Sequence, residues 1–172
     1  IYRWIYRRGV ADLARMTDLS RDLRARLAGE LRLTTPRIAA RETSADGTTK
    51  LLLELADGRR IESVFIPDTP SNTFCLSTQV GCAMNCGFCR TGRMGFVRNL
   101  GAGEIAGQVR VLAGETGLLD KRFNIVLMGM GEPLHNYAQT MKALRMLADP
   151  YGLAVSPRRI TLSTVGVPSA LD

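Results

Sequence analysis

From residue 73 onward the sequence alternates between strand-like and helix-like segments, and this alternation constrains the fold more than any other feature. Strand-like runs cover 73–80, 123–128 and 159–163, and helix-like runs cover 103–115 and 136–149. Repeated strand–helix units predict an α/β fold in which helices connect neighbouring strands of a parallel sheet. Chemistry in such sheets gathers at the carboxyl ends of the strands. We therefore expect functional residues in the loops that follow these strands.

The first part of the chain has a different pattern. Residues 1–35 predict short helices. Residues 37–66 predict a small meander, because three strand-like runs are separated by Asp-Gly pairs typical of hairpin turns. A segment rich in Pro and Ser at 67–72 predicts a linker. We expect an α+β domain over 1–68, followed over 69–172 by the α/β unit.

Composition excludes some classes of protein. The chain has 172 residues, of which 45% are hydrophobic and 23% charged, as in ordinary soluble globular proteins. No apolar run approaches the ~20 residues that a membrane span needs, and the Arg-rich start is too charged for a signal peptide. We therefore expect a cytoplasmic protein that does not associate with membranes.

The charge balance is basic, with 23 Lys and Arg against 16 Asp and Glu and a formal net charge of +7. Arg90, Arg93 and Arg98 crowd the segment that follows the cysteine-rich loop. Basic side chains beside a reactive loop favour a polyanion such as nucleic acid as a partner. A merely solvated basic surface explains the same charges, so charge alone leaves both interpretations open.

Three cysteines lie within eight residues, at Cys82, Cys86 and Cys89. A cubane iron–sulfur cluster takes four thiolates, so three ligands predict one iron with an open coordination position. A zinc site that also used Cys75 is the alternative, although zinc ligands usually come as two separated pairs and His135 is the only histidine. A disulfide framework is disfavoured, because four cysteines in a chain of this length without a signal peptide suggest a reducing compartment.

Two other loops follow predicted strands. Gly131 and Glu132 lie in a Gly-Met-Gly-Glu-Pro segment, where small residues allow close approach and a carboxylate can accept hydrogen bonds from an ammonium group. Ser163 ends the last predicted strand and offers a hydroxyl. Each loop alone is more typical of an ordinary turn. Their shared position at the carboxyl ends of strands strengthens the interpretation as one site.

Several segments together resemble the RlmN/Cfr family of radical S-adenosylmethionine (SAM) RNA methyltransferases. The cysteine motif has an aromatic residue, Phe88, directly before its last thiol, as in the radical SAM signature. The similarity extends over essentially the whole chain and is most specific between Cys75 and Leu100. The segments that carry it lie at 4–10, 61–67, 73–82, 95–100, 102–105, 128–134 and 161–164.

This resemblance implies a fold and a set of cofactors. The fold would be a partial (β/α)6 radical SAM barrel preceded by a small RNA-binding domain. The cofactors would be one 4Fe-4S cluster and SAM, with SAM bound at the open iron. The residues implied are Cys82, Cys86 and Cys89 as cluster ligands, and Phe88, Gly131, Glu132 and Ser163 as contacts of SAM.

The resemblance also implies a reaction. A cysteine methylated by one SAM would give its carbon to C2 of an adenosine in 23S rRNA or in tRNAs, after a second SAM is cleaved reductively. Glu62 matches the residue that removes the C2 proton, and Cys75 matches the residue that resolves the protein–RNA adduct through a transient disulfide. A flavodoxin- or ferredoxin-type protein would supply electrons, and we expect a monomer.

The match to the family leaves two points open. The methyl-accepting cysteine would lie beyond Asp172, so the chain resembles a truncated, N-terminal part that we expect to be inactive alone. A Cfr-like enzyme that modifies C8 is an alternative, as is a radical SAM enzyme with a substrate other than RNA. A non-catalytic RNA-binding module with a zinc-stabilised cysteine loop is the alternative from another class of protein.

Overall fold

A computed structural model describes residues 1–67 and 71–167, and these form an α/β fold with a mixed sheet. Three 3₁₀-helical turns occur at Leu13–Arg15, Pro133–Asn136 and Pro157–Arg159. The α-helices are α1 (Tyr2–Tyr6), α2 (Arg21–Glu30), α3 (Arg90–Arg93), α4 (Ala102–Thr116) and α5 (Tyr137–Ala148). The strands are β1 (Arg37–Thr43), β2 (Thr49–Glu54), β3 (Arg60–Ile66), β4 (Thr73–Cys75), β5 (Gln79–Gly81), β6 (Phe96–Asn99), β7 (Asn124–Leu127) and β8 (Ile160–Leu162).

Six of these strands form one sheet in the order β1-β2-β3-β4-β7-β8. The first four strands pair antiparallel with their neighbours in sequence, whereas β4, β7 and β8 pair in parallel. Helix α4 lies in the connection from β4 to β7, and α5 connects β7 to β8. The predicted meander and the predicted parallel strands are therefore both confirmed. The carboxyl ends of β4, β7 and β8 lie at one edge of the sheet, which is where the predicted site belongs.

The predicted strand at 73–80 is wrong in one respect, because it consists of two short strands in different sheets. β4 lies in the six-stranded sheet, while β5 pairs antiparallel with β6 in a separate hairpin. Between them, the side chain of Ser77 bonds to two other segments: its hydroxyl donates to the Glu62 carbonyl (2.6 Å) and accepts from the Met130 N–H (2.9 Å). The backbone N–H and C=O of Ser77 bond to the Gln108 side chain instead of to a neighbouring strand, which ends the first strand.

One hydrophobic core runs through the described residues. Leu53 and Ile61 of the meander are fully buried in the same cluster as Phe74, Val109 and Ile125. The sheet is also continuous from β3 to β4, since Val64 pairs with Cys75. The two-domain division at 68/69 stays a prediction, and residues 68–70 lie outside the described part of the chain.

No helix in 1–67 or 71–167 combines the length and the apolar character needed to cross a membrane.

Candidate cofactor site at the carboxyl ends of the parallel strands

The cysteine loop is held in place by the β5–β6 hairpin and by α3. The N–H of Cys82 donates to the carbonyl of Gly95 (3.0 Å), and the N–H of Cys89 donates to the carbonyl of Cys86 (3.0 Å). The Arg93 guanidinium donates to the carbonyl of Gly87 within the loop (2.9 Å). Gly92 lies against the loop backbone so closely that a Cβ there would be 3.0 Å from the nitrogen of Cys86. The loop is therefore anchored at both ends.

All four cysteines are free, so no thiol is occupied by a disulfide. Cys82 is buried, and Cys86 and Cys89 are half-buried. In type, three free thiols on one anchored loop fit the thiolate ligands of an iron–sulfur cluster. The positions of these thiols do not form a metal-binding group. Within 1–67 and 71–167, no three Cys, His, Asp or Glu side chains are arranged so that they could hold a metal ion.

Phe88, predicted to contact SAM, is 94% exposed at the tip of the loop. Met94 and Phe96, just beyond the loop, are also exposed. The exposed position of Phe88 is compatible with a ligand contact, which stays a prediction.

Gly129 and Gly131 are required by the fold. A Cβ on Gly129 would lie 2.7 Å from the carbonyl carbon of Leu76, and one on Gly131 would lie 2.8 Å from the nitrogen of Gln79. Gly131 also has a φ of +102°, which side-chain-bearing residues rarely adopt. The close approach expected at Gly131 is thus an approach to the chain's own backbone between β4 and β5. Its contact with SAM stays a prediction.

Glu132 is buried, and its carboxylate joins two loops. One oxygen accepts from the Leu134 N–H (2.9 Å) and the Thr164 hydroxyl (2.7 Å), and the other accepts from the Val165 N–H (3.0 Å). The loop after β7 and the loop after β8 therefore meet at this carboxylate, as the sheet topology predicts. Ser163 lies in the same second loop but is exposed.

Glu62 lies in β3, and its backbone reaches the same edge of the sheet. Its N–H lies 3.4 Å from the sulfur of Met130, and its carbonyl accepts from Ser77. The side chain is about half exposed and forms a 3.2 Å ion pair with Lys50, which also pairs with Glu42 at 3.2 Å. These two carboxylates raise the pKa of Lys50, chiefly through the hydrogen bond to Glu42.

Cys75 ends β4, between Val64 and Val126 of the neighbouring strands. Burial raises the pKa of its thiol, although a hydrogen bond from the Met128 backbone opposes this effect. Since the thiolate is the reactive form of cysteine, the fold keeps Cys75 in its less reactive state.

A buried polar network behind the site was not predicted from the sequence. The side-chain amide of Gln108, in α4, accepts from the Ser77 N–H (2.8 Å) and donates to the Ser77 carbonyl (2.8 Å). Its oxygen also accepts from Ser63 in β3 (2.7 Å). The amide of Gln79 links the Glu132 N–H (2.8 Å) to Asn99 (2.8 Å). The sequence does contain a signal for this network, because polar residues 77–79 interrupt an apolar strand-like run. Buried polar groups need hydrogen-bond partners, so such an interruption indicates a buried network.

Two of the three arginines near the cysteine loop are used within the fold. Arg98 donates to both carboxylate oxygens of Glu104 (2.8 Å each) and to Asp57 (2.8 Å). These hydrogen bonds raise the pKa of Arg98, and the bond to Glu104 has the largest effect. Arg93 bonds to Gly87, as described above. The local positive charge is therefore a weaker argument for nucleic acid at this loop than the sequence suggests.

Comparisons with known proteins agree on one family. Residues 1–33 match the model of the ribosomal RNA large subunit methyltransferase N-terminal domain. Over 97% of its length the chain is 45% identical to the dual-specificity RNA methyltransferase RlmN of Cereibacter sphaeroides, and 47% identical to that of Jannaschia sp..

This chain is homologous to RlmN proteins over 97% of its length. It spans about 45% of the length of these curated RlmN relatives. A crystal structure of a radical SAM methyltransferase from Sphaerobacter thermophilus superposes with a TM-score of 0.88 at 43% identity, covering 96% of this chain and 49% of that one. The α/β fold described here is therefore shared with about half of a solved radical SAM methyltransferase.

Proposed function

We propose that this chain carries the cluster loop and part of the SAM site of a radical SAM RNA methyltransferase. The complete enzyme would methylate C2 of an adenosine in 23S rRNA and in tRNAs, in the cytoplasm, as a monomer. The cysteine loop, the β7 loop and the β8 loop would together form part of a partial (β/α)6 barrel site. A flavodoxin- or ferredoxin-type donor would supply electrons.

One observation carries this proposal: an anchored loop with three free thiols is joined to a buried carboxylate. The loop follows β5, and Gln79 of β5 accepts the N–H of Glu132 at 2.8 Å. Glu132 in turn bonds to the loop that contains Ser163. Thiolates for iron and a carboxylate for an ammonium group are the ligand types that a cluster and SAM need.

In this proposal Cys82, Cys86 and Cys89 would hold a 4Fe-4S cluster with one iron left open. The bound cluster and SAM would supply reductive cleavage of the sulfonium. Glu132 has room for a further hydrogen bond, because a carboxylate offers about four acceptor sites and three are used. Gly131 would bring the loop backbone, and Phe88 and Ser163 would bring exposed side chains, against SAM.

Two residues of the chain would act on the RNA. Glu62 would remove the proton from C2, and its position at the edge beside Met130 supports a place near the bound cofactor. Cys75 would form a transient disulfide that frees the RNA from the protein. Because burial raises the pKa of Cys75, this step requires the thiol to become accessible and lose its proton.

Anaerobic reconstitution with iron and sulfide tests the metal assignment. We expect a brown protein with about four irons per chain, and an electron paramagnetic resonance signal of the reduced cluster that changes when SAM is added. A colourless protein that holds one zinc per chain would overturn the proposal in favour of the zinc-stabilised RNA-binding module.

A matched pair of cysteine variants sharpens this experiment. Cys86→Ala should lose most of the iron, because it removes a proposed ligand. Cys75→Ala removes a thiol that lies in β4, outside the loop, and should keep the iron content of the parent chain. Equal iron loss in both variants would contradict the proposed ligand set.

The catalytic base is tested in the complete enzyme with Glu62→Gln against Glu42→Gln. Both carboxylates pair with Lys50 at 3.2 Å, so both changes remove the same kind of ion pair. Glu62→Gln should cleave SAM but fail to release methylated RNA, whereas Glu42→Gln should behave as the parent. Release at the normal rate by Glu62→Gln would remove Glu62 from the mechanism. Liquid chromatography coupled to mass spectrometry, with 2-methyladenosine and 8-methyladenosine as standards, separates C2 from C8 methylation of the released nucleosides.

A further inference from the structure

A cleft of about 540 Å³ opens at the edge of the sheet opposite the candidate cofactor site. Phe123 and Arg159, which line it, directly precede β7 and β8, so the cleft lies at the amino ends of these parallel strands. The remaining walls come from the α4–β7 connection, the loop after α5 and Arg7 at the end of α1. Its volume is within the usual range for ligand sites, roughly 300–1,000 Å³.

The cleft is strongly basic. Four cationic side chains line it, against the single carboxylate of Asp120; the cations are Arg7, Lys121, Arg122 and Arg159. None of these four takes part in an ion pair among residues 1–67 and 71–167. This contrasts with Arg98 near the cysteine loop, whose charge is balanced by two carboxylates. Four cations that lack an ion pair in the described part of the chain therefore line one concave site.

The walls of the cleft are fixed by packing. Gly152 lies so close to Tyr2 that a Cβ there would be 2.8 Å from the tyrosine ring, and the Tyr2 hydroxyl donates to the carbonyl of Met146. A Cβ on Gly9 would likewise lie 2.8 Å from the side chain of Leu119. The Arg159 guanidinium donates to the Asn124 side chain at 3.2 Å. A cleft that is formed before a ligand arrives loses little entropy on binding.

We infer that this cleft binds phosphate groups, and that these are supplied by the backbone of RNA. Four cations in one concave site favour a ligand with several negative charges, and phosphate matches the guanidinium fork. The choice of RNA over a free polyphosphate rests on the proposed function. The cleft would then give the enzyme a second RNA contact, on the order of 10 Å from the catalytic edge along β7.

The cations of the cleft could instead serve only to stabilise helix ends, and this explanation makes a different prediction from RNA binding. Helices α4 and α5 end near this edge, and cations near helix carboxyl ends stabilise them through the helix dipole. If that were their role, removing the cations would lower the melting temperature without changing the affinity for RNA.

The experiment compares two double variants of the 172-residue chain. Lys121→Ala with Arg122→Ala removes two cations of the cleft, and Lys142→Ala with Arg145→Ala removes the same residue types from the exposed face of α5. Affinity for a fluorescent ten-nucleotide oligoadenylate is measured by anisotropy at about 50 and about 200 mM salt. Only the cleft variant should bind more weakly. The ratio of its dissociation constant to that of the parent should be roughly tenfold smaller at the higher salt. The reason is that each lost phosphate contact reduces the slope of log affinity against log salt by about 0.7–0.9.

A second arm identifies the source of phosphate. Inorganic pyrophosphate and the oligonucleotide are titrated separately while the backbone amide resonances of 119–123 and 152–156 are followed. Shifts with the oligonucleotide support the inference, whereas shifts with pyrophosphate alone refute RNA as the ligand. Equal affinities of the two double variants, or no shifts with either probe, would overturn the site. Both measurements use the chain without added iron, so a failure of the cluster proposal remains distinguishable from a failure here.

Discussion

Glu132 shows how one residue can belong to the fold and to the proposed site at once. Its two oxygens accept three hydrogen bonds from the loops after β7 and β8, two of them from backbone N–H groups. This holds the loop of Ser163 against the loop of Gly131 before any ligand is considered. An ammonium group would find the carboxylate already oriented, which lowers the entropic cost of binding.

We therefore expect Glu132→Gln to destabilise the chain by about 1–3 kcal/mol. The amide nitrogen would face either the Leu134 N–H or the Val165 N–H, so one backbone donor loses its acceptor in both orientations of the amide. Urea unfolding followed by circular dichroism measures this. Glu30→Gln, at the exposed end of α2, is the control and should change stability by less than about 0.5 kcal/mol. Equal effects would show that the three hydrogen bonds contribute little.

Cys75 gives a prediction about reactivity and pH. Burial raises the pKa of its thiol, so in the folded chain near neutral pH it should react with iodoacetamide far more slowly than the half-buried Cys86 and Cys89. Mass spectrometry of peptides after timed labelling measures the rates, with the urea-unfolded chain as the control in which the cysteines react alike. Comparable rates in the folded chain would mean that Cys75 is accessible without a conformational change.

The same pKa shift links Cys75 to stability. A raised pKa in the folded state favours folding below the unfolded value of about 8.5, and this contribution is lost as pH rises through the folded value. The free energy of unfolding should thus fall more steeply above about pH 9 in the parent than in Cys75→Ala. Parallel pH profiles from urea unfolding would argue against the shift.

At the scale of elements, the sequence periodicity predicted the helices and strands whose pattern depends only on residues close together in the sequence. The meander strands, α4, β7 and β8 were predicted from sequence within a few residues. The break between β4 and β5 was not, because Gln108 and Met130, the partners that interrupt the ladder, lie roughly 30 and 50 residues away. The contact between Gly131 and Gln79 was not predicted for the same reason, and the contact of Gly131 with SAM stays a prediction.

Arg98 connects three elements and gives a prediction at this scale. It joins β6 to the β2–β3 turn through Asp57 and to the start of α4 through Glu104. Arg98→Lys keeps the charge but loses the paired hydrogen bonds, and should cost about 1–2 kcal/mol at these partly exposed positions. Arg60→Lys disturbs the pair of a more exposed arginine with Glu54 and should cost clearly less. Urea unfolding of both variants decides whether the Arg98 cluster contributes more to the free energy of unfolding than an ordinary surface ion pair does.

For the whole molecule, the open question is whether residues on either side of 68–70 unfold together. The change of periodicity and the Pro-containing segment predicted two domains. The sheet nevertheless continues from β3 to β4, and Ser63 of β3 bonds to Gln108 of α4. Pairing across the segment could not be predicted from the sequence, because a Pro-rich connection is equally compatible with a domain linker and with a loop inside one sheet.

We expect one cooperative transition, because the meander and the α/β unit share a core. Leu53→Ala in β2 removes a fully buried side chain and should cost about 2–5 kcal/mol. If the core is shared, amide hydrogen exchange should then accelerate in β7 and α4 as well as in β2. The free energy of opening derived from these rates should fall by a similar amount in all three elements. Ile125→Ala in β7 should produce the reciprocal effect in the meander. Acceleration confined to residues 1–67 in Leu53→Ala would establish instead that the meander folds as a separate domain, as the sequence predicts.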